Sequence, residues 1–328
     1  FPLVTIEVST TTIVEAGGTS TVTVTLAPVS GRDVIVALGK SGTATNVDYT
    51  LENSITITAG NLSASTTLTA VTDALAEGTG ETVVIDISGV TNGTEQGTQQ
   101  RSVFITDDDT APTVTLTVGT GTISEANGST TVIATLNNTT SLTVTVPLVK
   151  SGNATPTSDY TLANSISIPP GSLSAFVVLT AESDTLDELN ETVTITMGTT
   201  TNATATSPLQ QTVTITDDDN PPTVTLLFVG GKNINETTGT ISTQVKALLS
   251  STSGQVVTVT LDKLGSTASE GNDYTLEGQI VIPVGSGSGL IALTALTDAV
   301  VENDETVVVT ITNVVNAATT TLQTQTVT

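Results

Sequence analysis

Apolar residues alternate with Thr and Ser through most of the chain, as in Val114-Thr-Leu116-Thr-Val118. A period of two marks strands that bury one face and expose the other. In the first third such runs cover residues 21–26, 34–38, 54–58, 65–71, 81–87 and 101–106, each bounded by Gly, Asn, Asp or Pro, the residues that punctuate strands with turns. No segment longer than about ten residues carries an apolar 3.6-residue period, so no substantial helix is expected.

The pattern repeats at a spacing of about 110 residues. Val103-Phe-Ile-Thr-Asp-Asp-Asp109 returns as Val213-Thr-Ile-Thr-Asp-Asp-Asp219, and each copy is followed by a proline-containing joint, Thr110-Ala-Pro112 or Asn220-Pro-Pro222. Six or seven short strands in roughly 100 residues predict an all-β fold of three tandem immunoglobulin-like antiparallel β-sandwiches arranged end to end. The expected domains are residues 1–110, 111–220 and 221–328. The sequence stops at Gln325-Thr-Val-Thr328, which matches Gln211-Thr-Val-Thr214, so the third copy is truncated before its Asp triplet. Phe1-Pro-Leu-Val corresponds to Ala111-Pro-Thr-Val, and modules are expected beyond both ends.

Composition narrows the class. The 37% of hydrophobic residues are mostly Val, Ile, Leu and Ala, with four Phe, three Tyr and no Trp, so β-branched aliphatics must fill the cores. No apolar run of about 20 residues is present to span a bilayer. Zero Cys removes disulfides and thiolate sites and leaves the redox compartment unread. The net charge of −25, from 32 acidic and seven basic residues, opposes nucleic acid and anionic membranes. There is no His base, no Cys, no phosphate-cradling glycine loop and no nucleophile elbow, and glycoside hydrolysis would need an aromatic-lined cleft. The chain is read as non-catalytic.

The charge is not diffuse. Twenty-one of the 32 carboxylates recur at matching positions: Glu15, Asp48, Asp73, Glu77, Glu81, Asp107, Asp108 and Asp109 in the first copy; Glu125, Asp159, Asp184, Glu188, Glu191, Asp217, Asp218 and Asp219 in the second; Glu236, Asp273, Asp298, Glu302 and Glu305 in the third. Asp33, Glu52, Asp86, Glu95, Asp262 and Glu277 lack counterparts and are set aside. Tyr49, Tyr160 and Tyr274, each after a recurring Asp, are read as packed rings.

These features resemble the Calx-beta domain, a calcium-binding sandwich of exchangers, an integrin and large surface proteins. The carriers are the Glu after the first strand, Gly42-Thr-Ala-Thr-x-x-Asp48-Tyr49 with its kin at 152–160, the Asp-x-x-x-Glu-x-x-Glu cluster and the closing Asp triplet. The resemblance implies that the recurring carboxylates gather at one end of each sandwich and hold several Ca²⁺ ions. The first copy carries one extra residue, Asp73…Glu77…Glu81 against Asp184…Glu188…Glu191. The third is expected to be incomplete.

Electrostatics reaches the same cation. Two carboxylates about 4 Å apart repel by about 1 kcal/mol in water and about 4 kcal/mol at an effective dielectric near 20, so a convergent cluster opposes folding unless cations neutralise it. All-oxygen donor sets disfavour zinc and copper, and Ca²⁺ tolerates six to eight oxygens in flexible geometry.

The expected function is a calcium-stabilised spacer of an extracellular filament, adhesin or matrix protein, outside the cell or on its surface. Neighbouring repeats are the primary partners, and Thr-rich strand edges with few Lys raise self-assembly into filaments. A module binding a cell-surface or glycan ligand is the alternative, and a regulatory calcium sensor on a transporter is a third. Asn61, Asn92, Asn127, Asn153, Asn202 and Asn235 head Asn-x-Ser/Thr triplets, compatible with glycosylation.

Overall fold

The alternating runs become strands in the computed structural model, which describes residues 1–236, 242–319 and 323–328. No α-helix occurs among the described residues. In the first module the strands are β1 (Leu3–Val8), β2 (Thr12–Val14), β3 (Thr19–Ala27), β4 (Val34–Gly42), β5 (Tyr49–Thr50), β6 (Ser54–Ile57), β7 (Ser63–Ala70), β8 (Glu81–Thr91), β9 (Thr94–Glu95) and β10 (Gln100–Thr106). They form two sheets, β5-β7-β3-β1-β9 and β2-β10-β8-β4-β6. Ten strands replace the six or seven expected, because β2, β5 and β9 are only two or three residues long and too short to display a period.

Between Val8 and Thr12 the chain leaves one sheet and joins the other: β1 pairs antiparallel with β3, whereas β2 pairs parallel with β10. Each sheet turns one face inward. Val22, Val24 and Leu26 of β3 meet Val83 and Ile85 of β8 and Val103 and Ile105 of β10 in a core of aliphatic side chains and one ring, Tyr49. Burying a Val, Leu or Ile contributes about 1.5–3 kcal/mol, so many small contributions replace the few large ones that aromatics would give.

The second module repeats the ten-strand order, and the third has two four-stranded sheets among the described residues. In that third module two of the short pieces survive as single rungs: Ile234 N donates to Thr328 O (2.9 Å) as β2 does to β10, and Val224 N donates to Ala318 O (2.9 Å) as β1 does to β9. Each module keeps its own core, with Tyr160 and Tyr274 buried like Tyr49.

Three of the seven basic residues share one task. Lys40 and Lys150 donate through Nζ to the carbonyls of Leu51 and Leu162 and to Asn53 Oδ1 and Asn164 Oδ1 (2.8 Å each). Lys263 donates to Leu276 O (2.7 Å) and pairs with Glu270. Each pins the turn after the Asp-Tyr pair to the neighbouring strand.

Adjacent modules also touch. Thr140 Oγ1 of the second module donates to Ala76 O of the first (2.5 Å), and Gly254 N of the third donates to Asp187 O of the second (3.0 Å). Both contacts are single parallel bridges, Ala76 with Thr140 and Asp187 with Ser253.

Candidate metal centres

Backbone pairing brings distant carboxylates together. The parallel register Ile13–Ile105 and Val14–Thr106 places Glu15 beside the strand end that runs into Asp107, and Glu15 N donates to Thr106 O (3.0 Å). The second module repeats this with Glu125 N on Thr216 O (2.9 Å). A second pairing fixes the other half: Tyr49 lies opposite Ala70, so Val71 N donates to Asp48 O (2.9 Å), as Glu182 N does to Asp159 O (3.0 Å) and Leu296 N to Asp273 O (2.8 Å). The buried ring of each Asp-Tyr pair anchors the Asp that precedes it.

The Gly-Thr-Ala-Thr stretch has a steric reason. Gly42 and Gly152 have φ of 121°, and a Cβ on either would lie 2.0 Å from Thr82 O or Thr192 O. Only glycine permits that approach. In module one it lets Thr43 N and Ala44 N converge on Thr82 O (3.0 and 3.1 Å), next to Glu81. Asp48 Oδ2 then accepts from Thr45 N, Asp159 Oδ2 from Thr155 N and Asp273 Oδ2 from Ser269 N, closing side-chain-to-backbone turns.

Two trios result in each of the first two modules. Glu15, Asp73 and Asp109 form one and Asp48, Glu77 and Glu81 the other; Glu125, Asp184 and Asp219, and Asp159, Glu188 and Glu191, are their equals. The third module has Asp273, Glu302 and Glu305. Within each trio one oxygen per residue lies within 4.8 Å of the others. Asp107 joins the two in module one, accepting from Glu77 N through Oδ2 (3.2 Å) and from Asp109 N through Oδ1 (3.3 Å). Asp217 accepts from Glu188 N in the same way (3.2 Å).

The extra residue of module one is absorbed before β8. Gly80, at φ 113°, turns the chain where a Cβ would lie 2.0 Å from Ile105 O. Glu81 then pairs with Ile105 as Glu191 pairs with Ile215. Both glutamates occupy the same place in their trios.

Not every recurring carboxylate converges. Asp108 and Asp218 are exposed and outside the trios, the side chain of each turned away from those of its two neighbours. Glu236 and Asp298 stay close enough to Glu302 to raise its pKa, but neither belongs to a trio. Asp187, which has no acidic counterpart in the other copies, is buried at the joint, where its carboxylate accepts from Ser253 Oγ and Gln255 Nε2 (3.3 Å each). Sequence reasoning passes over it because Ala76 and Val301 hold the matching positions.

The trios hold charge without compensation. Glu15 is 4% exposed, and its Oε2, like Glu81 Oε2 and Asp109 Oδ2, is buried with no hydrogen-bond partner. The two salt bridges among the described residues, Arg101–Glu7 and Lys263–Glu270, lie outside the trios. Burial first, then neighbouring carboxylates, pushes Glu77 and Glu81 up to about 7. Glu125 also rises to about 7, from burial against the partial relief of Asp184 N–H. Glu191 is raised by burial and by Asp159. Such an array of oxygens, partly buried and lacking a basic partner, suits a hard divalent cation. Calcium fits the donor set, which contains no nitrogen or sulfur.

Several glycosylation triplets have structural work. Asn92 and Asn202, at φ 62° and 61°, donate through Nδ2 to Asp33 O (2.9 Å) and Thr143 O (2.8 Å). Asn316, which heads no such triplet, does the same to Val256 O (2.9 Å) at φ 59°.

The model of the Calx-beta domain matches three consecutive stretches of the chain, residues 2–109, 107–219 and 218–328. Among solved structures, the crystal structure of calcium binding domain CBD12 of CALX1.1 is 21% identical, with 62% of this chain and 81% of that chain covered and a TM-score of 0.30. The crystal structure of a tetra-tandem repeat in the extending region of a large adhesion protein is 15% identical, with 99% of this chain and 73% of that chain covered and a TM-score of 0.42. No curated protein matches the chain.

Proposed function

This chain belongs to the Calx-beta family, as three consecutive repeats, and on that premise we propose that it is a calcium-stabilised, non-catalytic spacer in an extracellular or cell-surface protein, with module boundaries near residues 110 and 220. The observation that carries the reading is the set of buried carboxylate oxygens without partners, Glu15 Oε2, Glu81 Oε2 and Asp109 Oδ2, inside clusters that contain no basic residue. In the first two modules one ion would be held by Glu15, Asp73 and Asp109 or by Glu125, Asp184 and Asp219. Another would be held by Asp48, Glu77 and Glu81 or by Asp159, Glu188 and Glu191. The third module would hold one through Asp273, Glu302 and Glu305. Calcium supplies the positive charge that lets these loops share one pole.

The same loops support a spacer function. Residues 73–81 contribute to both trios and also carry Ala76, the contact to the next module. An ion bound there ties the joint to the sandwich. The acidic excess suits an exterior rich in calcium, where module affinities fall in the range of about 10⁻⁴ to 10⁻³ M.

Calcium titration followed by calorimetry and thermal melting tests the reading. At ten times the dissociation constant each independent site adds about 1.4 kcal/mol, which for a domain of roughly 100 residues raises Tm by several degrees. A melting curve unmoved by millimolar calcium would overturn it.

A further inference from the structure

The three lysines that pin the turn after each Asp-Tyr pair do not end in the same surroundings. In the third module Lys263 donates to Leu276 O (2.7 Å) and is neutralised by the Glu270 carboxylate. In the second, Lys150 donates to two neutral acceptors, Leu162 O and Asn164 Oδ1, and forms no salt bridge among the described residues. An ammonium has three N–H donors, so one N–H of Lys150 and its charge are left over. Lys150 is the one basic residue of the second module.

The loops beside these two lysines are bonded alike. Pro156 bridges to Tyr160 as Glu270 does to Tyr274, and Thr157 N donates to Tyr160 O (2.9 Å) as Gly271 N does to Tyr274 O (2.8 Å). Pro156 therefore stands where Glu270 stands, and brings no carboxylate to the lysine. A groove of about 260 Å³ lies there instead, with Lys150, Pro156, Thr157, Thr161, Leu162 and Val178 in its lining. Its backbone is strained, Thr157 holding φ 73° where the third module uses Gly271 at φ 88°. A β-branched residue in that region costs energy that glycine does not. What Thr157 adds in return is a hydroxyl and a methyl on the groove.

The neighbouring strand differs between modules as well. Tyr160 pairs with Ala181 as Tyr49 does with Ala70 and Tyr274 with Ala295. Val178 and Phe176 thus correspond to Thr67 and Ser65 in the first module and to Ala292 and Leu290 in the third. Val178 and Phe176 are 46% and 62% exposed; they lie two residues apart in the strand Ser174–Ala181 and share its outer face. One patch of the second module therefore combines a cation, two threonine hydroxyls and an apolar wall that runs out to an exposed ring.

We propose that this patch binds an acidic polysaccharide, with a uronic-acid carboxylate on Lys150, the hydroxyls of that sugar on Thr157 and Thr161, and the C–H face of the next sugar on Phe176. The Lys263–Glu270 pair shows which anion the position accepts. The rest of the patch chooses a sugar over an acidic peptide: a pyranose offers hydroxyls around its edge and an apolar face to an aromatic ring, whereas an Asp or Glu side chain brings a carboxylate alone. The patch consists of the second module's own residues and does not depend on the identity of the cation.

Calorimetric titration of the whole chain in millimolar calcium tests this with a galacturonic acid trimer, its carboxyl-reduced neutral counterpart and a hexaglutamate peptide. The acidic trimer is expected to bind, and the other two to bind several-fold more weakly. Pro156→Glu installs the third module's carboxylate beside Lys150. It is expected to reduce binding by roughly tenfold or more, as loss of a hydrogen bond to a charged group does, with a melting temperature at or above that of the parent chain. Phe176→Ser places the first module's residue at an exposed site, away from that turn, and is expected to weaken binding several-fold with calcium affinity unchanged. No binding of the acidic trimer, equal binding of the neutral one, or tighter binding of the peptide would overturn the proposal. So would an affinity indifferent to Pro156→Glu, the result expected of a sugar that merely shares calcium with the acidic poles. Calcium-dependent melting tests the spacer reading separately, so failure of one leaves the other intact.

Discussion

Glu77, Glu81 and Glu125 carry pKa values near 7 because water has been removed from carboxylates that face other carboxylates. Without metal the folded chain binds more protons than the unfolded chain between about pH 4.5 and 7, so stability is highest below that window and falls as pH rises through it. In a chelating buffer Tm is therefore expected to be higher at pH 5 than at pH 8, with calcium giving its larger increment at pH 8. Melting scans across that range check it, and a metal-free protein more stable at pH 8 would contradict the account. Residue type alone was informative here: the recurring Glu and Asp were legible from the sequence. Exclusion of Asp108 and Asp218 from the trios was not, because it depends on which way the triplet turns its side chains.

At the level of elements, a few glycines permit the close backbone approaches at the acidic end of each of the first two sandwiches. Gly152, at φ 121° and with a Cβ position 2.0 Å from Thr192 O, marks where the strand Val144–Gly152 passes close to the start of Glu191–Met197. Gly152→Ala is expected to destabilise the second module by more than about 1 kcal/mol and to weaken calcium binding by the trio that contains Glu191. Gly171→Ala, at φ 72° but with nothing within 4 Å, separates the two causes: it bears the backbone strain without the collision and leaves calcium binding unchanged. Denaturant unfolding and calcium titration of the two variants measure this. Equal calcium affinity in both would contradict the proposed link between the close approach and the site. The longer strands were readable from their period of two, whereas β2, β5 and β9 were not, although β2 and β5 place Glu15 and Asp48.

Across the whole molecule, the acidic loop that carries Asp73, Glu77 and Glu81 also carries Ala76, the contact to the next module, so the proposed cation sites and the joint share one segment. Thr140→Val keeps the shape of the residue but removes the donor to Ala76 O. Loss of a hydrogen bond of that kind costs about 1 kcal/mol, enough to change the bent population several-fold. Solution scattering is expected to show a shorter mean end-to-end distance for Thr140→Val in calcium, and a similar shortening of the parent chain in chelator. Calcium affinity unchanged by Thr140→Val would place the defect at the joint; unchanged scattering would remove Thr140 from any part in stiffness.

What the sequence by itself determined was local or periodic: an all-β fold, three copies of one sandwich, aliphatic cores and a donor set restricted to oxygen. Each follows from alternation over neighbouring residues or from recurrence at a fixed spacing, and both survive in one dimension. Tertiary structure decided what depends on chain segments meeting. The parallel register between β2 and β10 pairs Ile13 with Ile105 and Val14 with Thr106 across most of a module, and that pairing puts Glu15 against Asp109. Single bridges between modules give Ala76, Thr140, Asp187 and Ser253 their burial, and no alternation or charge pattern marked them. Convergence costs loop-closure entropy and carboxylate repulsion, and it is the two sheets, the buried tyrosines and the glycine turns that bring those side chains to one place.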